Sequence, residues 1–533
     1  MNGQTSGKGN QVKDHPSALN PAILVLNIIL SILGAIIGLE LIVRVGISTN
    51  TSIIGALFAI ILSRIPIAFF KKYRNIHAQN LVQTAISGAT FSAANSLILP
   101  IGIPYLMGEP QLVIPMLVGV LLATIIDATI LYKTFDTPMF PADEPWPPGI
   151  ASAETILAVV NKGKKAMLLL VGMGIGIVGK AFGIPTDLLG VTWIGDMWAL
   201  GAFGVGALVI GISTDQGFNI SQYYVPHGIM IGAGLVALIQ VGLMLFKKED
   251  GKGSVAGKFT SSISDMRGAL AKGYIAYVVV AIGLAAVSGI YSQMSVPKLI
   301  IWVVFAAFAA IASELIVGMS AMHSGWFPGF ATALIFLIVG MMIGFPKLPL
   351  GILAGYTAAT GPAFSDMAYD FKCGYILRGN GADPDFERAG RKQQYMAEIV
   401  SFFVAFAVVL VMCNTYFKQD LFAPVARTFV TTIEAGSSPE IAKWLIIFAV
   451  PGAILQFIGG PKKQLGVLFA TGMLVGSTIT GITVIVALII RIVVVRLKGE
   501  EGQSTLYILG AGSIAGSALY SFFTSTLQLG KKK

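Results

Sequence analysis

The stretch "LIIWVVFAAFAAIAS", residues 299–313, contains no charged side chain, and the chain runs on through "ELIVGMS" with a single acid, Glu314. A helix of about 20 such residues rises roughly 30 Å, the thickness of a bilayer's hydrocarbon core. The same reading applies to residues 21–39 and to 112–126, which continue past Asp127 to Tyr132. Of the 533 residues 55% are hydrophobic and 12% charged, with a mean hydropathy of +0.79. Soluble domains carry about a quarter charged residues, so a lipid-facing surface accounts for the deficit. The fold class that follows is an all-α polytopic membrane protein.

Apolar runs punctuated by loops place spans near 21–46, 52–70, 78–104, 112–134, 166–184, 196–214, 222–246, 266–290, 297–318, 328–345, 348–371, 394–417, 442–459, 464–497 and 503–527. The run 464–497 is long enough for two short helices, so 14 to 16 transmembrane helices are expected. Basic residues gather in short loops, Lys71, Lys72 and Arg74 in one and Lys247, Lys248, Lys252 and Lys258 in another. That is the positive-inside pattern, so the net charge of +10 reads as orientation in the plasma membrane and not as nucleic-acid binding. Two cytosolic loops need an even number of spans between them, and five runs lie there. A segment between 78 and 246 is therefore broken, re-entrant or missed. The candidates are "PPGIASAETILAVVNKG" (147–163) and the "GISTDQGFN" interruption (211–219). Irregular backbone at membrane depth survives only where protein or water satisfies its amides, and transporters place binding sites there.

Residues 1–20 form a polar tail without an apolar signal core, expected to be flexible and cytosolic. The rest divides into an N-terminal half, 21–264, and a C-terminal half, 265–533, that echo each other. Asp127 precedes Lys133 in "DATILYK" as Asp366 precedes Lys372 in "DMAYDFK", and "SQYYVPHGIMIGAG" (221–234) parallels "STLYILGAGSIAGS" (504–517). Two related halves with a site at their interface are a common transporter plan. Glycine pairs one helical turn apart, such as Gly34 with Gly38, Gly228 with Gly232, Gly340 with Gly344 and Gly512 with Gly516, suit close helix packing in lipid.

Several chemistries are disfavoured. Gly174, Gly176 and Gly179 match G-x-G-x-x-G, but within one apolar run with no strand–helix–strand frame. No phosphate-binding loop, zinc-protease motif or Ser-His-Asp set is present, and Cys373, Cys413 and the four histidines lack metal-ligand spacing. No enzyme activity, cofactor or metal site is expected; a channel or structural membrane subunit is the rival outside transport.

Acids inside spans cost about 2.5 to 3.5 kcal/mol on insertion scales and are kept chiefly where they meet water, a partner or a substrate. Glu314 has no basic residue nearby on its own helix, so it can take up and release a proton as its exposure changes, in a coupling or substrate-contact role; the alternative is a buried, protonated Glu hydrogen-bonded to a neighbouring helix. Asp127, Glu40 and Glu398 also lie at depth, Glu40 with Arg44 one turn on as a structural pair. Asp366 and Asp370 share a helix face, and Gly361-Pro362 ahead of them should break the span near 361. Freed backbone groups beside two acids suit the cationic end of a zwitterion, with Lys372 or Arg378 for its anionic end. The alternative is that Asp366 caps the helix and Lys372 snorkels. His227, with Tyr224 just ahead of it, and His323 stand beside Pro or Gly near span edges. Each histidine reads as a hydrogen-bonded interface residue more often than as a proton relay, and Tyr224 and His323 are candidates for substrate or ion binding.

The stretch "DMAYDFKCGYILRG" followed by "ERAGRKQQYMAE" resembles the D-x-x-x-D-x-K-x-G signature and trailing Arg/Gln helix of the oligopeptide transporter (OPT) family, which includes yellow-stripe-like metal-chelate carriers. "LVQTAISGA" (81–89), "PPGIASAETI", "LFAPVART" and "ILGAGSIAGSAL" are similar to further family segments, in family order, as in a prokaryotic-type member. The resemblance implies proton-driven uptake of short peptides or metal chelates through some 16 spans. It places Asp366, Asp370, Lys372 and Gly374 in the signature and Gln83 and Thr84 in an early helix. Ala78 and Ser517 stand where many members carry acids, which leaves the coupling carboxylate open. The expected partners are a small solute, protons and the lipid bilayer. A homo-oligomer stays open.

Overall fold

The structure, a computed structural model, describes residues 15–45, 52, 55–56, 75–160, 164–246, 259–325, 327–436 and 439–529. Among them nine helices are long and apolar enough to cross a bilayer, four apolar helices are shorter, and there is no strand. The protein is an all-α, multi-pass membrane protein. Pro21–Glu40, Val113–Thr134, Lys164–Ala181, Met197–Asp215, Val225–Phe246, Ile263–Val287, Val296–Ser324 and Gly329–Ile343 follow the expected runs closely. Pro384–Lys418 begins earlier than its apolar run. The 52–70 run, apart from residues 52, 55 and 56, and residues 1–14 lie outside the described residues.

Helix starts follow local chemistry. Asn20 accepts the Ala22 amide ahead of Pro21, and Ser262 and Asp265 form a reciprocal capping box. Asp383 accepts the amides of Asp385 and Phe386 at the start of Pro384–Lys418.

The irregular segments differ in kind. The 348–371 run is two helices, Lys347–Ala359 and Pro362–Leu377, meeting at Gly361 with φ 95° and ψ −46°. The run 464–497 is also divided, into Leu465–Val475 and the start of Thr478–Leu529, which itself kinks at Gly499. Pro147–Val160 is a short, largely buried helix, and its Gly149 approaches the Tyr369 carbonyl and the Lys372 stem. The 211–219 candidate is the connection between two helices. There Met197–Asp215 ends and Gly217, at φ 78°, turns a mostly exposed loop. A further short helix, Thr186–Ile194, precedes it.

The helices group into two bundles. Those within 21–134 and 263–435 pack mainly among themselves, as do those within 164–246 and 439–529. Pro147–Val160 lies between, against Pro362–Leu377 on one side and Thr478–Leu529 on the other. Backbones touch where glycine permits. Gly172 and Gly176 meet the carbonyls of Leu509 and Ser513, so of the G-x-G-x-x-G run Gly176 serves backbone packing, while Gly179 makes room for the Thr186 side chain. Gly344, by contrast, is a left-handed helix end at φ 83°.

The last residues of the tail are docked. Ala18 is 1% exposed and its amide donates to Gln393 Oε1 at 2.9 Å. His15 packs against the rings of His77 and Phe386, with centroids 5.2 and 5.6 Å away. Burial, and then the Arg378 guanidinium, lower its pKa from 6.5 to about 4. The neutral ring is thus the docked form, so this contact's contribution is whole above about pH 6.5 and is lost as pH falls toward 4. Amide exchange at residues 15–20, corrected for intrinsic rates, should accelerate across that window, and His15→Phe should remove the pH dependence. A flat wild-type profile would show that protonation does not open this contact.

Candidate functional site

A cavity of about 530 Å³ lies between the two bundles, within the ~300–1,000 Å³ typical of small-molecule sites. Part of its wall comes from segments where helices depart from regularity. Ile42 belongs to the π-type turn Leu41–Val45 and Asn95 to the π-type turn Ser92–Ile98, while Ala358 and Pro362 flank the Gly361 break. Such turns are frequent at functional sites because they re-aim side chains and offset the backbone ladder. The second bundle contributes Leu188, Val191, His227, Ile514 and Ser517. Most of the lining is apolar, and Asp366 stands among its few charged groups.

Asp366 and Asp370 lie one turn apart on Pro362–Leu377. Ser87 Oγ donates to Asp366 at 2.9 Å, Ser52 Oγ to Asp370 Oδ1 at 2.6 Å, and Gln83 Nε2 also donates to Asp370 Oδ1. Glu398 joins them from Pro384–Lys418, and oxygens of the three carboxyl groups lie within 4.8 Å of one another. Gly88 makes the room, since a Cβ there would overlap the Glu398 carboxylate. Both Glu398 oxygens and Asp370 Oδ2 are buried without a hydrogen-bond partner among the described residues. Three negative charges this close and this buried repel strongly, so the cluster must hold protons or a cation. Its all-oxygen donor set is of the kind that suits a hard cation.

Lys372 does not face these acids. Its Nζ donates to the Ala142 carbonyl at 2.6 Å and lies 5.5 Å from the Tyr375 ring centroid. Arg378 is bound to Glu387 at 2.7 Å and to Gln394 Oε1 at 2.8 Å. The Gln394 amide in turn reaches Thr84 Oγ1 at 3.2 Å and the Asp370 carbonyl at 2.6 Å. Gly374 fits this network because a Cβ would collide with Gln394 and Arg378. The signature stretch thus builds the acid cluster and its support, with its cations turned away. The lysine on the cavity wall is Lys180, 3.6 Å from Asp187. Its sequence signal was faint, a lysine near the end of a Gly-rich helix, which snorkelling explains equally well.

A family model described as OPT oligopeptide transporter protein matches residues 18–249 and 261–528. The chain belongs to the OPT oligopeptide transporter family. A comparison with curated proteins gives no match. The protein is accordingly a multi-pass membrane transporter for oligopeptide-type substrates, in a family of transporters and not of enzymes.

Other acids of this OPT protein have different surroundings. Asp127 accepts the Gly361 amide at 3.2 Å and the Phe364 amide at 2.8 Å, capping the second half of the broken helix. Glu314 accepts from Tyr277 Oη at 2.5 Å, and Tyr356 Oη donates to the Tyr277 carbonyl at 2.9 Å. Asp127 and Glu314 are fully buried and do not line the cavity. His323 is also buried, with Nδ1 3.8 Å from Glu144. Tyr224, in a left-handed conformation, holds its ring 5.7 Å from that of His227, and His227 is the one on the cavity wall. Glu40 accepts from Tyr416 Oη at 2.8 Å, while the Arg44 side chain lies outside the described residues.

Proposed function

We propose that this OPT transporter is a proton-coupled symporter that imports short peptides or similar zwitterionic solutes across the plasma membrane. One observation carries the reading: Asp366 forms part of a cavity between two helix bundles, with Asp370 and Glu398 within 4.8 Å of it. Asp366 supplies the negative charge that meets a substrate's ammonium group. Asp370, one turn behind it, and Glu398 of the neighbouring helix Pro384–Lys418 hold the coupling proton, so the solute and proton sites adjoin. In this reading the break at Gly361 and the π-type turns beside it are where Pro362–Leu377 moves during transport. Each proton entering down the membrane potential supplies about 2.3 kcal/mol per 100 mV, roughly fiftyfold in accumulation.

The test is uptake into proteoliposomes. Tri-alanine should accumulate when the outside is acid and the inside negative, and a protonophore should reduce uptake to equilibration. Uptake of an iron chelate in place of tri-alanine would redirect the substrate assignment. Accumulation indifferent to the pH gradient would sink proton coupling.

A further inference from the structure

We propose that Lys180 reads the C-terminal carboxylate of the transported peptide, making it a specificity-determining residue; this rests on the peptide-uptake reading above. The charges on the cavity wall are divided between the bundles. Asp366 belongs to one bundle, and Lys180 and Asp187 belong to the other. Among the described residues Lys180 is the one lysine or arginine on that wall. The cations nearest Asp366 in sequence are committed elsewhere, Lys372 to Ala142 and Arg378 to Glu387.

The Lys180–Asp187 pair is suited to exchange. Its 3.6 Å separation exceeds hydrogen-bond distance, and the two side chains are 31% and 34% exposed. Asp187 Oδ1 has no hydrogen-bond partner among the described residues. A pair with no hydrogen bond contributes little by itself, and the Lys180 ammonium still has donors to give to a substrate carboxylate. A carboxylate held at close range by Lys180 forms a charge-assisted hydrogen bond, stronger than the loose pair it displaces.

The placement has a mechanical consequence. A zwitterion with its ammonium at Asp366 and its carboxylate at Lys180 touches both bundles, whereas a solute carrying one charge engages only one of them. A ligand shifts a conformational equilibrium only by its differential affinity for the two states. Free peptides therefore favour whichever arrangement of the bundles lets both charges be reached at once, and singly charged analogues do so less.

The experiment compares tri-alanine, its C-terminal amide and its N-acetyl form, by thermal stabilisation of the purified transporter and by uptake KM in proteoliposomes. In the wild type, amidation should raise KM about tenfold or more, as expected for loss of a charged hydrogen-bond partner. Lys180→Met should bring the acid and the amide to the same KM, Lys180→Arg should restore their difference, and Asp187→Asn should lower KM for tri-alanine. Sensitivity to N-acetylation should persist in Lys180→Met. An amide that performs as well as the acid in the wild type overturns the proposal, as does discrimination retained in Lys180→Met. The wild-type comparison decides the matter even where a variant fails to fold. If tri-alanine in any form neither stabilises the wild type nor enters, the peptide-uptake reading falls and this proposal with it.

Discussion

Asp366→Asn is expected to raise KM for a free peptide about ten- to hundredfold while leaving uptake dependent on the pH gradient. The size follows from replacing a charged acceptor by a neutral one of the same shape, since hydrogen bonds to charged groups contribute about 1.5–3 kcal/mol. Asparagine can still accept from Ser87 Oγ, which now donates to Asp366 at 2.9 Å. The fold should therefore hold, and the melting temperature should stay close to that of the wild type. Asp370→Asn differs in kind, because Asp370 stands behind the wall and is held by Ser52 and Gln83. It should abolish accumulation driven by the gradient while sparing exchange of labelled for unlabelled peptide. If Asp366→Asn and Asp370→Asn lose accumulation and exchange in equal measure, the split between a substrate-facing acid and a proton-holding acid is wrong.

Much of this architecture is legible in residue order, for a physical reason. A backbone crossing lipid must satisfy its own amides, so long apolar runs have one outcome, and Val296–Ser324 and Pro384–Lys418 are helices accordingly. The break at 361 is equally legible, since proline removes an amide and clashes with the turn before it. Segments with weak periodic signals are harder. Thr186–Ile194 is too short to register as a span, and nothing in "SAANSLI" announces the π-type turn that carries Asn95. Side-chain direction is the largest gap. Asp366, Asp370 and Lys372 are neighbours in order, yet Lys372 leaves for the Ala142 carbonyl while Glu398 comes in from a separate helix. Which face of a buried helix meets which neighbour is set by long-range packing, here by the space over Gly88, and a single sequence does not encode that openly.

Asp127→Ala is expected to destabilise the transporter by on the order of 3 kcal/mol or more and to abolish accumulation and exchange together. Asp127 accepts the amides of Gly361 and Phe364, which start a buried half-helix and have no preceding turn to bond to. Each buried donor left unpaired costs about 1–3 kcal/mol, and the half-helix so loosened carries Asp366 and Asp370. Asp127→Asn keeps one acceptor oxygen at the same place, so it should recover most of the stability and a measurable rate of exchange. Gly361→Ala should resemble Asp127→Ala, because φ of 95° disfavours a side chain and the added Cβ would stand 3.0 Å from Val317. Melting temperature and exchange measured on the three variants separate the roles available to this acid. Should Asp127→Asn fold with wild-type stability and still lose accumulation while retaining exchange, Asp127 takes part in carrying the proton, and its capping of the helix would be the means by which protonation there moves the acids on the cavity wall.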